Sequence, residues 1–118
     1  MKPTEKEFEN QLIKAGLMRE ADRGKKSYRW NYRKAIPDNA WLTVQEIRKK
    51  VWGKAGNVGG EIGKWASAGI LQRMWTKEGD AVYSWPGTKK RKDLVDASYF
   101  KEGERTTFKE YLSEEDDG

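Results

Sequence analysis

Between Trp41 and Trp85 the apolar positions change period twice. Over 43–52, Val44, Ile47 and Val51 recur at helical spacing, and Thr43 stands three residues ahead of Glu46. That is a capping box opening an amphipathic helix, with Gln45, Arg48, Lys49 and Lys50 on its polar flank. Gly53 and Gly56 stop it, and Asn57 is placed to cap a second helix over 58–68. There Val58, Ile62, Trp65 and Ala66 form one apolar stripe that ends at Gly69. From Ile70 the period falls to two. Ile70, Gln72 and Met74 alternate with Leu71, Arg73 and Trp75, which predicts a strand to Lys77. Glu78-Gly79-Asp80 makes a turn, and Ala81 to Trp85 returns as a second strand before Pro86.

The N-terminal third echoes this segment. Residues 11–30 and 63–85 both run helix, Ala-Gly, Leu or Ile, an arginine-bearing stretch, a glycine, then Tyr-x-Trp. Residues 4–15 read as a helix through Phe8, Leu12 and Ala15. Residues 17–21 and 26–32 read as a hairpin around Asp22-Arg23-Gly24, with Tyr28, Trp30 and Tyr32 on one strand face. Two explanations stand: a duplicated helix-hairpin unit, or the shared chemistry of ending a helix with Ala-Gly. Residues 86–98, starting PGTKKRKD, read as a flexible basic link. Thr106 or Thr107 then caps a short helix through Phe108, Tyr111 and Leu112, and SEEDDG reads as disordered.

Helix, glycine turn, helix, strand, turn, strand is the order of the winged helix-turn-helix family, which the 41–85 segment resembles at the level of pattern. The resemblance covers about 45 of 118 residues. It implies an α+β fold, a winged helix-turn-helix with an N-terminal helix plus β-hairpin addition and a short C-terminal tail. It also implies that the second helix lies against duplex DNA. The first helix of such a core would come from 4–15 or from a segment read above as strand.

Charge agrees with that expectation. Residues 1–92 hold 21 Lys/Arg against 10 Asp/Glu, a net +11, whereas residues 93–118 hold 3 against 9, a net −6. A basic domain over 1–92 followed by an acidic tail over 93–118 is the organisation expected, and the basic part has the footprint of a polyanion binder. The chain contains neither His nor Cys, which excludes Ser-His and Cys-His catalysis and the usual zinc sites. Binding rather than catalysis is expected, with no cofactor and no metal. A nucleotide-cradling loop at Gly53–Lys64 is rejected: Val58 stands where the first Gly belongs, Trp65 follows the Lys, and no strand precedes it. No run is long enough to span a membrane, and the first ten residues lack an apolar signal core, so a cytoplasmic, nucleoid-associated location is expected.

Candidate DNA-binding residues follow from cation clusters and from the second helix. They are Lys25, Lys26, Arg29 and Arg33 with Lys34; Arg48 and Lys49 with Lys50 and Lys54; and Asn57, Lys64 and Ser67 on the helix. Arg73 and Lys77 lie on the wing, and Lys89, Lys90 and Arg91 with Lys92 follow it. Such cations contact phosphates and carry no sequence information. Gly59, Gly60 and Gly63 replace the long donors that would read base edges, so backbone or shape recognition is expected over base readout. Trp41, Trp52 and Trp65 read as core; Trp30, Trp75 and Trp85 are the candidates for stacking on unpaired bases. The alternatives to a duplex-DNA partner are a protein partner docked on the winged-helix surface, and RNA or single strands. A monomer or weak homodimer is expected.

Overall fold

The computed structural model describes residues 1–25, 28–51 and 57–101. Among them the chain forms α1 (Glu5–Lys14), α2 (Tyr28–Ala35), α3 (Val44–Lys50), α4 (Val58–Ser67), β1 (Gln72–Thr76), β2 (Ala81–Ser84), β3 (Leu94–Val95) and α5 (Ala97–Lys101). A single 3-10 turn covers Glu20–Asp22. The class is α+β.

Caps fix three helix starts where the sequence places them. Thr4 with Glu7, and Thr43 with Glu46, each form a full capping box. Asn57 caps α4 by accepting the Gly60 N–H at 3.1 Å. Two helices also end alike. Gly16 and Gly69 take φ of +76° and +81°, a region open to glycine at little strain. At α1 the Leu17 N–H reaches the Leu12 carbonyl and Gly16 reaches Ile13; at α4 Ile70 reaches Trp65 and Gly69 reaches Ala66. Both are Schellman stops followed by a buried or half-buried aliphatic residue.

The two segments echoed between 11–30 and 63–85 share that stop, and beyond it their structures differ. After Gly69 the chain enters a hairpin, but after Gly16 it enters the 3-10 turn and then α2. The expected N-terminal hairpin is therefore replaced by a helix. Tyr-x-Trp-x-Tyr fits a strand face, yet its two tyrosines also stand four apart. In α2 their rings meet at 5.4 Å, and Tyr32, Ala35 and Ile36 carry the buried stripe onward at helical spacing.

β1 pairs antiparallel with β2, from Gln72 opposite Ser84 to Trp75 opposite Ala81, and with β3 through Trp75–Val95 and Thr76–Leu94. Just ahead of α3, Leu42 forms a bridge with Tyr83. One sheet face, with Tyr83 and Ala81, joins the main core of Phe8, Leu12, Ile47, Ile62, Trp65 and Trp85. The other carries a second cluster of Trp41, Met74, Val82 and Leu94. The stretch expected to be a flexible link instead closes this second cluster. Leu94 is buried in it, Thr88 is buried, and Trp41 Nε1 donates to the Lys89 carbonyl at 2.9 Å. Burying this apolar outer face is what draws 88–95 onto the sheet.

Of the tryptophans considered for stacking, Trp85 is fully buried and donates to the Ile36 carbonyl at 2.7 Å. Trp30 packs on Phe8, and Trp75 is covered by Phe100 at 6.3 Å between rings. Trp41 and Trp65 are core, as expected. Trp52, Gly53, Lys54, Gly56, Lys26 and the helix and acidic end expected beyond 102 lie outside the described residues. No helix among the described residues is long and apolar enough to cross a membrane.

Candidate nucleic-acid interface

α4 buries Val58, Ile62 and Trp65 and turns Gly60, Gly63, Lys64 and Ser67 outward. Opposite this outer face stand the C-terminal stop of α1, at Ala15 and Leu17, and Arg73 of β1. Together they bound a hollow of about 640 Å³. A second hollow of about 390 Å³ continues from it past Lys14 and Gly69, and Ala15 and Ala68 line both. The result is one shallow trough edged by Lys14, Lys64 and Arg73, with no carboxylate among its lining residues.

Arg73 is half-buried. Its guanidinium lies 5.6 Å from the Tyr83 ring centroid and 5.8 Å from that of Trp75, and an outer nitrogen donates to the Gly63 carbonyl at 3.4 Å. Its Nε is buried without a hydrogen-bond partner. The side chain is thus held between two aromatic faces beside α4, which keeps its charge at the trough.

The structure brings together Lys64, Ser67 and Arg73 from the sequence-derived candidates and adds Lys14. Others are scattered or committed elsewhere. Arg33 donates twice to the Pro3 carbonyl, at 3.2 and 2.7 Å, and so anchors the N-terminal segment. Arg29 donates to the Leu17 carbonyl at 3.2 Å and lies over the Tyr28 ring. Asn57 is used by its cap. Arg91 makes a two-point pair with Asp93, and Lys25 lies 3.9 Å from Asp22. Arg48, Lys49, Lys77, Lys89 and Lys90 are exposed. Lys34 and Lys50 meet at a small hollow beside Pro37.

Another hollow, about 440 Å³ beneath Trp30, carries Glu5 and Glu9 as well as Lys6, Arg23 and Lys34. Its mixed charge suits a polyanion less well than the carboxylate-free trough. Lys2, packed near Arg33, has its amine held below the usual lysine range by partial burial and by that guanidinium. Among the described residues no group of three or more His, Cys, Asp or Glu is placed to hold a metal.

Lys14 is missed by sequence reasoning because it stands alone, outside any cation run. The Ala-Gly helix stops were the available signal, since they set the two helix ends that the trough runs between. Comparison of the chain with family models, with curated proteins and with solved structures finds no match.

Proposed function

We propose that this chain is a winged helix-turn-helix module that binds duplex DNA, mainly through phosphate contacts. α3 and α4 would be the helix-turn-helix and β1–β2 the wing. α2, which packs against α3, would complete the helical core that the sequence pattern left open. The observation that carries the reading is the outer face of α4. There Lys64 and Ser67 share a trough with Arg73 and Lys14, and among the described residues no carboxylate lines it. The exposed cations of 89–92 carry the same sign of charge elsewhere on the domain.

The decisive measurement is affinity for a mixed 30-base-pair duplex by fluorescence anisotropy across a salt series. Phosphate-driven binding gives a logarithmic slope of about −0.9 per contact. A steep fall with salt and little preference among unrelated sequences supports the reading. Absence of binding at low salt removes it.

A further inference from the structure

Three glycines stand in α4, and one has a reason within the chain. A Cβ at Gly60 would lie 2.3 Å from Asn57 Nδ2, so the cap as it is folded here would have to shift to admit one. A Cβ at Gly59 would touch Val44 at 3.6 Å, an ordinary contact. A Cβ at Gly63 would meet nothing within 4 Å. Glycine in a helix interior costs about 1 kcal/mol relative to alanine, and nothing in the described structure offsets that at Gly63. The open space is the trough. Small residues, Ala15, Gly60, Gly63, Ala68 and Gly69, make up much of its lining, with Lys14, Lys64 and Arg73 as its cations.

We propose that the trough seats a sugar–phosphate strand lengthwise, so that α4 grips a nucleic-acid backbone instead of projecting side chains at base edges. The proposal rests on the DNA-binding reading above and says how the same surface would be used. A helix that reads bases presents long protruding donors to the major groove. Here the outer face of α4 carries no side chain at Gly60 and Gly63, beside a shallow hollow. Glycine at 63 lets a strand approach the helix backbone within van der Waals distance.

The charge also sets the register. Both helices end at this trough, and their C-termini carry partial negative charge that disfavours a phosphate beside Ala15 or Ala68. The phosphate therefore sits over the middle turn of α4, between Lys64 and Arg73, with sugars toward the alanines. Lys14 offsets the carboxyl ends.

The test is Gly63→Ala and Gly63→Leu against the wild-type chain, with the same duplex at low salt. Both replacements are better helix formers, so circular dichroism should be unchanged and the melting temperature equal or higher. Affinity should fall with side-chain size, at least tenfold for Gly63→Leu. Lys64→Ala, a surface change independent of floor volume, should flatten the logarithmic salt slope by about 0.9. Wild-type binding that Gly63→Leu leaves unchanged overturns the trough while the DNA-binding reading survives. If Gly63→Leu misfolds, an unchanged slope for Lys64→Ala overturns the trough in the same way. No nucleic-acid binding by the wild type overturns both and leaves the trough to a protein helix.

Discussion

The side chain of Asn57 folds over Gly60: its Oδ1 accepts the Gly60 N–H at 3.1 Å, in the space a Cβ at position 60 would claim. Capping and glycine are therefore coupled, which fixes the sign of two substitutions. Gly60→Ala should destabilise the protein by about 1 kcal/mol, the typical worth of a lost cap, although alanine is the better helix former. In an Asn57→Ala background there is no cap to displace, and the same change should stabilise by up to about 1 kcal/mol. A double-mutant cycle by urea denaturation checks the reversal. Additive effects would mean that the cap side chain relocates without loss.

Phe8 ties the N-terminal helix to the rest. Its ring lies 4.9 Å from Trp65, 5.9 Å from Trp85 and 6.2 Å from Trp30 between centroids, and it is fully buried. Phe8→Ala should cost about 3–5 kcal/mol, a large part of the margin of a domain this size. It should also erase much of the near-ultraviolet dichroism of the tryptophans. The same contact predicts that a fragment holding only 41–85 does not fold. A cooperative melt from that fragment would show α1 to be an accessory.

The elements with local signatures were legible. Thr43 with Glu46, Asn57, the stripe of Val58, Ile62 and Trp65, and the turn at 78–80 each declare themselves within a few residues. α2 was not, because Tyr28, Trp30 and Tyr32 satisfy period two, and four-residue spacing as well. Burial of Tyr32, Ala35 and Ile36 against the core decides for the helix. β3 has two residues and no signature of its own; its strand character comes from Trp75 and Thr76 opposite. The candidate site divides the same way. Lys64, Ser67 and Arg73 were readable as cations and donors, but their meeting with Lys14 depends on where α1 ends beside α4. Arg33 and Asn57 were readable as donors too, and only the fold shows that Pro3 and Gly60 occupy them.

Acid should weaken the fold and leave neutral pH nearly without effect. Hydrogen bonds to Thr4 hold the Glu7 carboxyl below its ordinary 4.5, and Arg23 does the same for Glu20. Arg19 lowers Asp22 and Ser98 lowers Asp96, each below the ordinary 3.8. A depressed folded-state pKa contributes stability above the unfolded value and loses it as pH falls through the folded one. The melting temperature should therefore be flat through neutrality and fall below about pH 4.5. Glu7→Gln keeps a cap acceptor but removes a titrating group, so its acid limb should be shallower. With no histidine or cysteine in the chain, duplex affinity should be constant from about pH 6 to pH 8. A step in affinity within that range would point to a titrating group on the interface and against simple phosphate contacts.

Two truncations should have opposite consequences, because the charge boundary and the structural boundary differ. The sequence turns acidic at Asp93, yet Leu94 is buried and Leu94–Val95 pairs with β1. Cutting after Asp93 strips Leu94 from Trp41, Met74 and Val82, a loss of about 2 kcal/mol from one buried leucine. The expected result is a lower melting temperature. Cutting after Lys101 keeps β3 and α5 and removes a segment with 2 Lys/Arg and 7 Asp/Glu, a net −5. That segment starts beside Phe100, whose ring meets Trp75 on the face of β1 that also carries Arg73. If duplex DNA binds as proposed, this acidic charge competes with phosphate for the same cations. Removal should leave the melting temperature unchanged and tighten duplex binding several-fold at low salt, with the difference vanishing at high salt as screening shortens the field. Equal affinity with and without residues 102–118 at every salt would mean that the acidic segment does not reach the cations of α4.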